Sequence, residues 1–239
     1  MWFKHFTKNL FKHMDMKVSV IGTGKTGGAV ADLLGENAVR FDSDSTITPD
    51  LLKETNAAVV FVPGDAAPEI IELLLKAKIP AVWGTTGYSW PQDLPSRVKE
   101  SGTRWVIGSN FSIGMNLVRK ALNILGKGSE LMKDPEFHIH EVHHIHKKDA
   151  PSGTALSWQK WLDQDALISS DRQGDVKGIH NLHIKTENES IYLKHEAHDR
   201  KLFAEGAIWT VNYLMKHPEI PAGVYSFSTI FDQAFSELL

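Results

Sequence analysis

The chain has 239 residues, 42% of them hydrophobic and 23% charged, a mixture that suits one large or two modest globular domains with a buried core. A formal net charge of -3 gives no pull toward nucleic acid or acidic membranes, and no apolar run approaches the roughly 18 residues of a membrane span. Cysteine is absent, which excludes disulfides, thiolate nucleophiles and cysteine zinc sites and fits a reducing, cytoplasmic setting.

Residues 1–15 mix Lys4, Lys8 and Lys12 with Trp2, Phe3, Phe6, Leu10 and Phe11. A short basic amphipathic helix is one reading. The segment lacks the apolar core and cleavage site of a signal peptide, and it reads instead as an N-terminal extension to a domain that opens near Met16.

From Met16 onward short apolar runs alternate with helical patterns. Strands are expected at Lys17–Ile21, Ala38–Phe41, Ala57–Val62, Ile79–Trp83 and Arg104–Ile107. Helices are expected around Val30, Leu33 and Leu34 and over Pro68–Ala77. Strands separated by helices imply right-handed crossovers and a parallel sheet covered on both faces. The expected fold is therefore α/β, a Rossmann-type doubly wound sheet.

After Asn110 the pattern changes. Ser112 is placed to cap a long helix bearing Met115, Val118, Leu122 and Leu125. A histidine-rich strand follows over Glu136–His146, then a helix start at Pro151-Ser152-Gly153-Thr154, two alternating strands around Glu187–Glu189, and a helix with Ile208, Val211, Leu214 and Met215. Alternation of this kind suits a mixed or antiparallel sheet. The expected domains are residues 16–112 with 216–239 for a dinucleotide, and 113–215 as an α+β unit for substrate binding and oligomerisation.

Gly22-Thr23-Gly24-Lys25-Thr26-Gly27 lies between the first strand and the first helix. Glycines there permit a tight turn and let backbone N–H groups reach a pyrophosphate at the helix N-terminus. Asp42 stands twenty residues past Gly22 at the end of the second strand, where a carboxylate would bind the adenosine ribose. Such a carboxylate favours NADH over NADPH, although Lys25 and Arg40 lie near it in sequence. Gly84-Thr85-Thr86-Gly87 and Gly108-Ser109-Asn110-Phe111 each follow a strand of the same sheet, where nicotinamide ligands sit.

Five histidines fall between His138 and His146. On a strand, His138, His140, His144 and His146 would share one face and His143 and Lys147 the other. A zinc site is one reading, opposed by the charges of Lys147 and Lys148, and no metal is expected. Anion binding fits better. Pro151 suits a first helical turn, the N–H groups near Ser152, Gly153 and Thr154 are free donors, and Lys147 adds a charge. A histidine beside that clamp would move a proton near neutral pH.

His143-His144-Ile145-His146-Lys147-Lys148-Asp149-Ala150-Pro151-Ser152-Gly153-Thr154 resembles the signature of the 4-hydroxy-tetrahydrodipicolinate reductases. Gly84–Gly87, Asn110–Asn116, Arg172–His180 and His195–Arg200 extend the likeness from about Met16 to the C-terminus. The resemblance implies a homotetramer that reduces a small cyclic dicarboxylate with NADH or NADPH, with loss of water, in lysine and diaminopimelate biosynthesis. It implies His143 and Lys147 as the proton-handling pair and His144, Gly153 and Thr154 as substrate contacts. The glycine loop, Asp42, Gly84–Thr86 and Gly108–Phe111 would be its cofactor contacts. Ile145, where the family has arginine, and Val60-Phe61-Val62-Pro63-Gly64 after the third strand depart from its pattern. Competing readings are a Rossmann-fold dehydrogenase of another small imino or amino acid, a cofactor sensor without catalysis, and a histidine metalloprotein.

Overall fold

The computed structural model describes residues 16–239, so the expected N-terminal extension, 1–15, lies outside the described residues. Two compact units make up the chain. One contains the residues up to Ser112 together with Lys201–Leu239, and the other is Ile113–Arg200.

In the first unit, β1 (Val18–Ile21) and β3 (Ala57–Val60) are buried at every position, as continuous apolar runs inside a sheet covered on both faces must be. β2 (Ala38–Phe41) is less buried, and β4 (Ala81–Trp83) and β5 (Arg104–Ile107) complete the expected set. A sixth strand, β10 (Gly223–Ser226), was not evident from sequence: it has four residues, opens on glycine and pairs with β5. The order is β10-β5-β4-β3-β1-β2 with every pair parallel. The chain moves outward from β1 to β2 and then returns to β3 on its other side. That reversal opens a crevice at the carboxyl ends of β1 and β3.

α1 (Lys25–Leu34), α2 (Pro49–Lys53), α3 (Ala67–Ala77), α4 (Leu94–Glu100), α7 (Lys201–Lys216) and α8 (Phe227–Ser236) are the helices of this unit. α1 comes close to β1 because residue 27 is glycine; a Cβ there would lie 1.8 Å from the Gly22 carbonyl oxygen. α7 packs on α1 and on β3 and β4, so it belongs with the first unit. This corrects the expected boundary after residue 215. The apolar stripe of α7 shows that the helix is buried, but does not say against which sheet.

The second unit holds α5 (Ile113–Gly128), β6 (Glu136–His143), α6 (Gly153–Leu162), β7 (Leu167–Arg172), β8 (Ile179–Lys185) and β9 (Ser190–Glu196). Its sheet runs β7-β6-β8-β9, with β6 and β7 parallel and the other pairs antiparallel. β7 escaped the sequence reading because Ser169, Ser170 and Asp171 break its apolar pattern. One face of the sheet carries Ile139, Leu182 and Ile184 into a core with Leu122, Trp158 and Leu162 from α5 and α6. Those helices meet at Gly126, where a Cβ would lie 1.7 Å from the Leu162 carbonyl oxygen.

Leu182 is fully buried in that core. Leu182→Ala is expected to lower the stability of the second unit by about 2–5 kcal/mol, as lost transfer energy plus a cavity. Urea unfolding followed by a probe in that unit measures it.

Candidate active site

The first unit gathers its sequence-expected residues at the carboxyl ends of its strands. Gly22 takes φ +85°, a conformation that favours glycine, and its N–H bonds the Phe41 carbonyl at 2.8 Å. No atom lies within 4 Å of a Cβ placed on Gly24, so its backbone faces open space. A cavity of about 990 Å³ is lined by Gly22 through Gly27, Asp42, Phe61, Gly84 and Thr86, among others. A second cavity, of about 200 Å³, shares Thr26, Phe61, Gly84 and Thr86 and adds Gly108, Ser109, Phe111 and Phe203. Thr85 is buried beneath them. Asn110 uses Oδ1 to accept the Ser112 N–H at 2.8 Å.

The Asp42 carboxyl is held below the ordinary carboxylate range by the Ser45 hydroxyl, which donates to Oδ1 at 2.7 Å, and by the Asp44 N–H at 3.1 Å. Asp65 and Glu69 line the same cavity, with Lys25 as the cation among its lining residues. Arg40, the other cation weighed from sequence, is bonded to Asp32 at 2.8 Å. The glycine turn, the helix N-terminus and the ionised carboxylate twenty residues on are parts of the kind that could hold a dinucleotide.

Sequence reasoning missed Phe61 and Phe203 in this site. The Phe61 ring occupies the place of a Gly84 side chain; a Cβ on Gly84 would come within 2.0 Å of it. This is the physical setting of the departure at Val60–Gly64. Phe203 enters from α7, far along the chain, and no local pattern announces it.

In the second unit the sites converge where β6 ends. The strand stops at His143, so His144 and His146 sit in the following turn and not on a strand face with His138 and His140. This corrects the alternation expected through His146. The backbone turns because the His144 carbonyl accepts the Lys147 N–H at 3.1 Å, while His143 and Ile145 bond Gln173 and Gly174. Ile145 is exposed. Pro151 precedes the helix, a second correction: Ser152 is the N-cap of α6, its hydroxyl accepting the Ala155 N–H at 3.2 Å, and Gly153 and Thr154 open the helix. His138 and His140 are used on the sheet, bonding Ser169 at 2.7 Å and Asp171 at 2.9 Å.

Behind this turn lies a polar network that the sequence did not reveal. Glu141 is fully buried, and its Oε2 accepts from His143 Nδ1. Its Oε1 accepts both terminal nitrogens of Arg172 at 3.1 Å and the Ser152 N–H at 3.3 Å. Burial pushes the Glu141 carboxyl up, but hydrogen bonds from Ser170, Arg172 and His143 outweigh it and leave it below its ordinary value. His143 is pushed below the ordinary imidazole value by burial, against the pull of Glu141 and with the help of the Lys147 and Arg172 charges. At neutral pH the pair is therefore a carboxylate and a neutral imidazole. The imidazole donates through Nδ1 and carries its lone pair on Nε2.

His180, on β8, lies beside His143 with ring centroids 5.1 Å apart. Glu141, His143 and His180 place ligand-type atoms within 4.8 Å of one another. Arg172 sets a full charge on the same carboxylate and opposes a cation there. Lys147 pairs with Asp149 at 2.8 Å, and the Asp149 carboxyl also takes a bond from the Gly153 backbone. Lys147 and the start of α6 thus hold one carboxylate between them.

Comparison with known proteins bears on what these sites do. The family profile described as dihydrodipicolinate reductase, C-terminus, matches residues 114–231. The 4-hydroxy-tetrahydrodipicolinate reductase of Thermosipho africanus is 30% identical over 92% of this chain and 100% of its own. That of Methanopyrus kandleri is 30% identical over 92% of this chain and 82% of its own. Among solved structures, the dipicolinate-bound dihydrodipicolinate reductase of Paenisporosarcina sp. TG-14 superposes with a TM-score of 0.70 at 20% identity, covering 91% of this chain and 100% of that one. No helix among the described residues is long and apolar enough to cross a membrane.

Burial and the neighbouring His143 lower His180 to about 4. Its folded value is thus below the unfolded one, near 6.5, so the unfolded chain binds the proton first as pH falls. The associated stability is present above pH 6.5 and lost down to about pH 4, on the order of 3 kcal/mol in all. His180→Gln is expected to flatten the pH dependence of the unfolding midpoint across that window.

Proposed function

Because the chain belongs to the 4-hydroxy-tetrahydrodipicolinate reductase family, we propose that His143 and Lys147 handle the protons of that reduction and that the first unit binds its nicotinamide cofactor. The protein is an oxidoreductase of lysine and diaminopimelate biosynthesis. The observation that carries the residue assignment is a neutral, buried His143 beside an anion clamp made of Lys147 and the start of α6.

The substrate is a cyclic dicarboxylate with a hydroxyl on carbon 4, and the product lacks that hydroxyl. Its carboxylates take the place of Asp149 on Lys147 and the Gly153 and Thr154 backbone, with His144 alongside. His143 Nε2, the acceptor nitrogen, removes a proton from the ring carbon next to carbon 4. Lys147 gives a proton to the departing hydroxyl, which leaves as water. The bound cofactor would supply the hydride, and His143 returns its proton to the reduced ring. One hydride and one proton are consumed and one water is released, so the step balances. The imidazolium formed in between is stabilised by the Glu141 carboxylate.

The glycine loop and the Gly84–Thr86 and Gly108–Phe111 ends would hold the cofactor, and the smaller cavity beside Phe61 and Phe203 would be the place for its ring. NADH is the preferred form, since Asp42, Asp65 and Glu69 would face a 2′-phosphate and Arg40 is engaged with Asp32. The chain assembles as a homotetramer through the second sheet, whose outer face bears exposed Leu167 and Tyr192. A cytoplasmic setting belongs to the same reading.

A coupled assay that generates the substrate from pyruvate and aspartate semialdehyde should show rapid oxidation of reduced nicotinamide, read at 340 nm. His143→Ala is expected to lower kcat by about 10²–10⁴-fold with NADH binding unchanged, and Lys147→Ala to lower kcat and raise the substrate KM. Unchanged turnover in both variants would remove this segment from the mechanism. The kcat/KM for NADH should exceed that for NADPH, and Asp42→Ala should cut the ratio roughly tenfold, or about 1.4 kcal/mol of discrimination.

A further inference from the structure

Resting on the assignment of His143 above, we infer that Glu141 and Arg172 are positioning residues that lock His143 in the tautomer with a bare Nε2 and tie the proton-transfer group to the anion clamp. His143 reaches Glu141 through Nδ1, and a carboxylate can only accept, so the neutral ring must carry its hydrogen on that nitrogen. Nε2 is left as the acceptor. It faces Gly178, which adopts φ +155° and where a Cβ would lie 3.1 Å from Nε2. A glycine at 178 therefore keeps clear the side of the ring on which a proton is exchanged.

Glu141 has no freedom to turn away. Arg172 holds Oε1 with two nitrogens, and the same Arg172 donates to the carbonyls of Lys147 at 3.2 Å and Asp149 at 2.5 Å. Oε1 also receives the Ser152 N–H, the cap residue of α6. One carboxylate and one guanidinium thus fix the imidazole, the backbone of the lysine and the helix that presents Gly153 and Thr154. Neither residue need touch the substrate to set the geometry of His143, Lys147 and the start of α6.

The test pairs nitrogen NMR of the wild-type imidazoles with kinetics of Glu141→Gln and Glu141→Asp. The wild type should show His143 protonated on Nδ1 and bare on Nε2 at neutral pH. Glu141→Gln should lose that preference and lower kcat by about 10³-fold, as expected when an acidic partner that holds a catalytic histidine is neutralised. The acid limb of its pH–kcat profile should move to lower pH, because the imidazolium loses its counter-charge. Glu141→Asp should recover part of the rate with the wild-type tautomer. NADH binding, monitored by fluorescence, should be the same in all. A wild-type ring protonated on Nε2, or a Glu141→Gln enzyme within twofold of wild-type kcat, overturns the inference. Should Glu141→Gln fail to fold, the wild-type tautomer and the Glu141→Asp rate decide it. His143→Gln measured in parallel separates the two levels: if it is inactive while Glu141→Gln is not, only the positioning role falls, and if both are active the assignment of His143 falls with it.

Discussion

A buried carboxylate is the constraint around which the second unit is arranged. Taking an ionised group out of water costs several kcal/mol, and the cost is recovered only where every lone pair meets a donor. Glu141 meets that condition with Arg172, Ser170, Ser152 and His143. The donors come from the end of β6, from β7 and from the start of α6, so the carboxylate fixes the relative placement of three elements that the apolar core alone would hold only by packing. The parallel pairing of β6 with β7 is part of the same arrangement. It sets His143 opposite Arg172 and Glu141 opposite Ser170, and so puts the donors on the same side as the carboxylate.

The first unit solves a different problem with glycine. Its crevice exists because the sheet order reverses at β1, but backbone can approach a pyrophosphate only if no side chain intervenes. Gly22 supplies the turn, Gly24 leaves open space and Gly27 lets α1 lie against the loop. Gly84 plays a further part, since the absence of its side chain is what admits the Phe61 ring to the smaller cavity. The charge balance of the two units is also opposed. Carboxylates prevail among the titratable residues lining the larger cavity of the first unit, whereas Lys147 and Arg172 prevail around His143. These fields support the proposed anionic substrate and the proposed preference for NADH.

Much of this was legible in the sequence because it depends on local pattern. The parallel strands, the glycine loop with Asp42, the long helix before Gly128 and a helix start near Ser152 all follow from periodicity or from one residue's conformational habit. What stayed hidden depends on distance along the chain. Arg172 reaches Glu141 across thirty-one residues, and Phe203 joins a cavity whose other walls end at Phe111. The histidine run misled in a specific way: alternation was extended through His146, whereas the strand ends at His143 and the backbone turns through a bond from Lys147 to His144. Proline suits a first helical turn, but the cap is Ser152, which leaves Pro151 two positions before the first helical residue, Gly153.

The state of His143 follows from a balance, and that balance supports the proposal that this histidine handles the protons. His138 and His140 hold Ser169 and Asp171 on the sheet, and no buried anion stands behind them. His180 is buried as His143 is, but a serine hydroxyl, Ser152 Oγ, is its hydrogen-bond partner and its value falls to about 4, too low to carry a proton at neutral pH. Among these histidines, His143 combines burial, which keeps it neutral, with a carboxylate on Nδ1, which would stabilise the cation in the proposed proton transfer. Burial without Glu141 would make it inert, as at His180. Glu141 without burial would leave it charged and unable to accept. The two opposing effects on one ring suit the proposed role, in which the group takes a proton and gives it back within a single turnover.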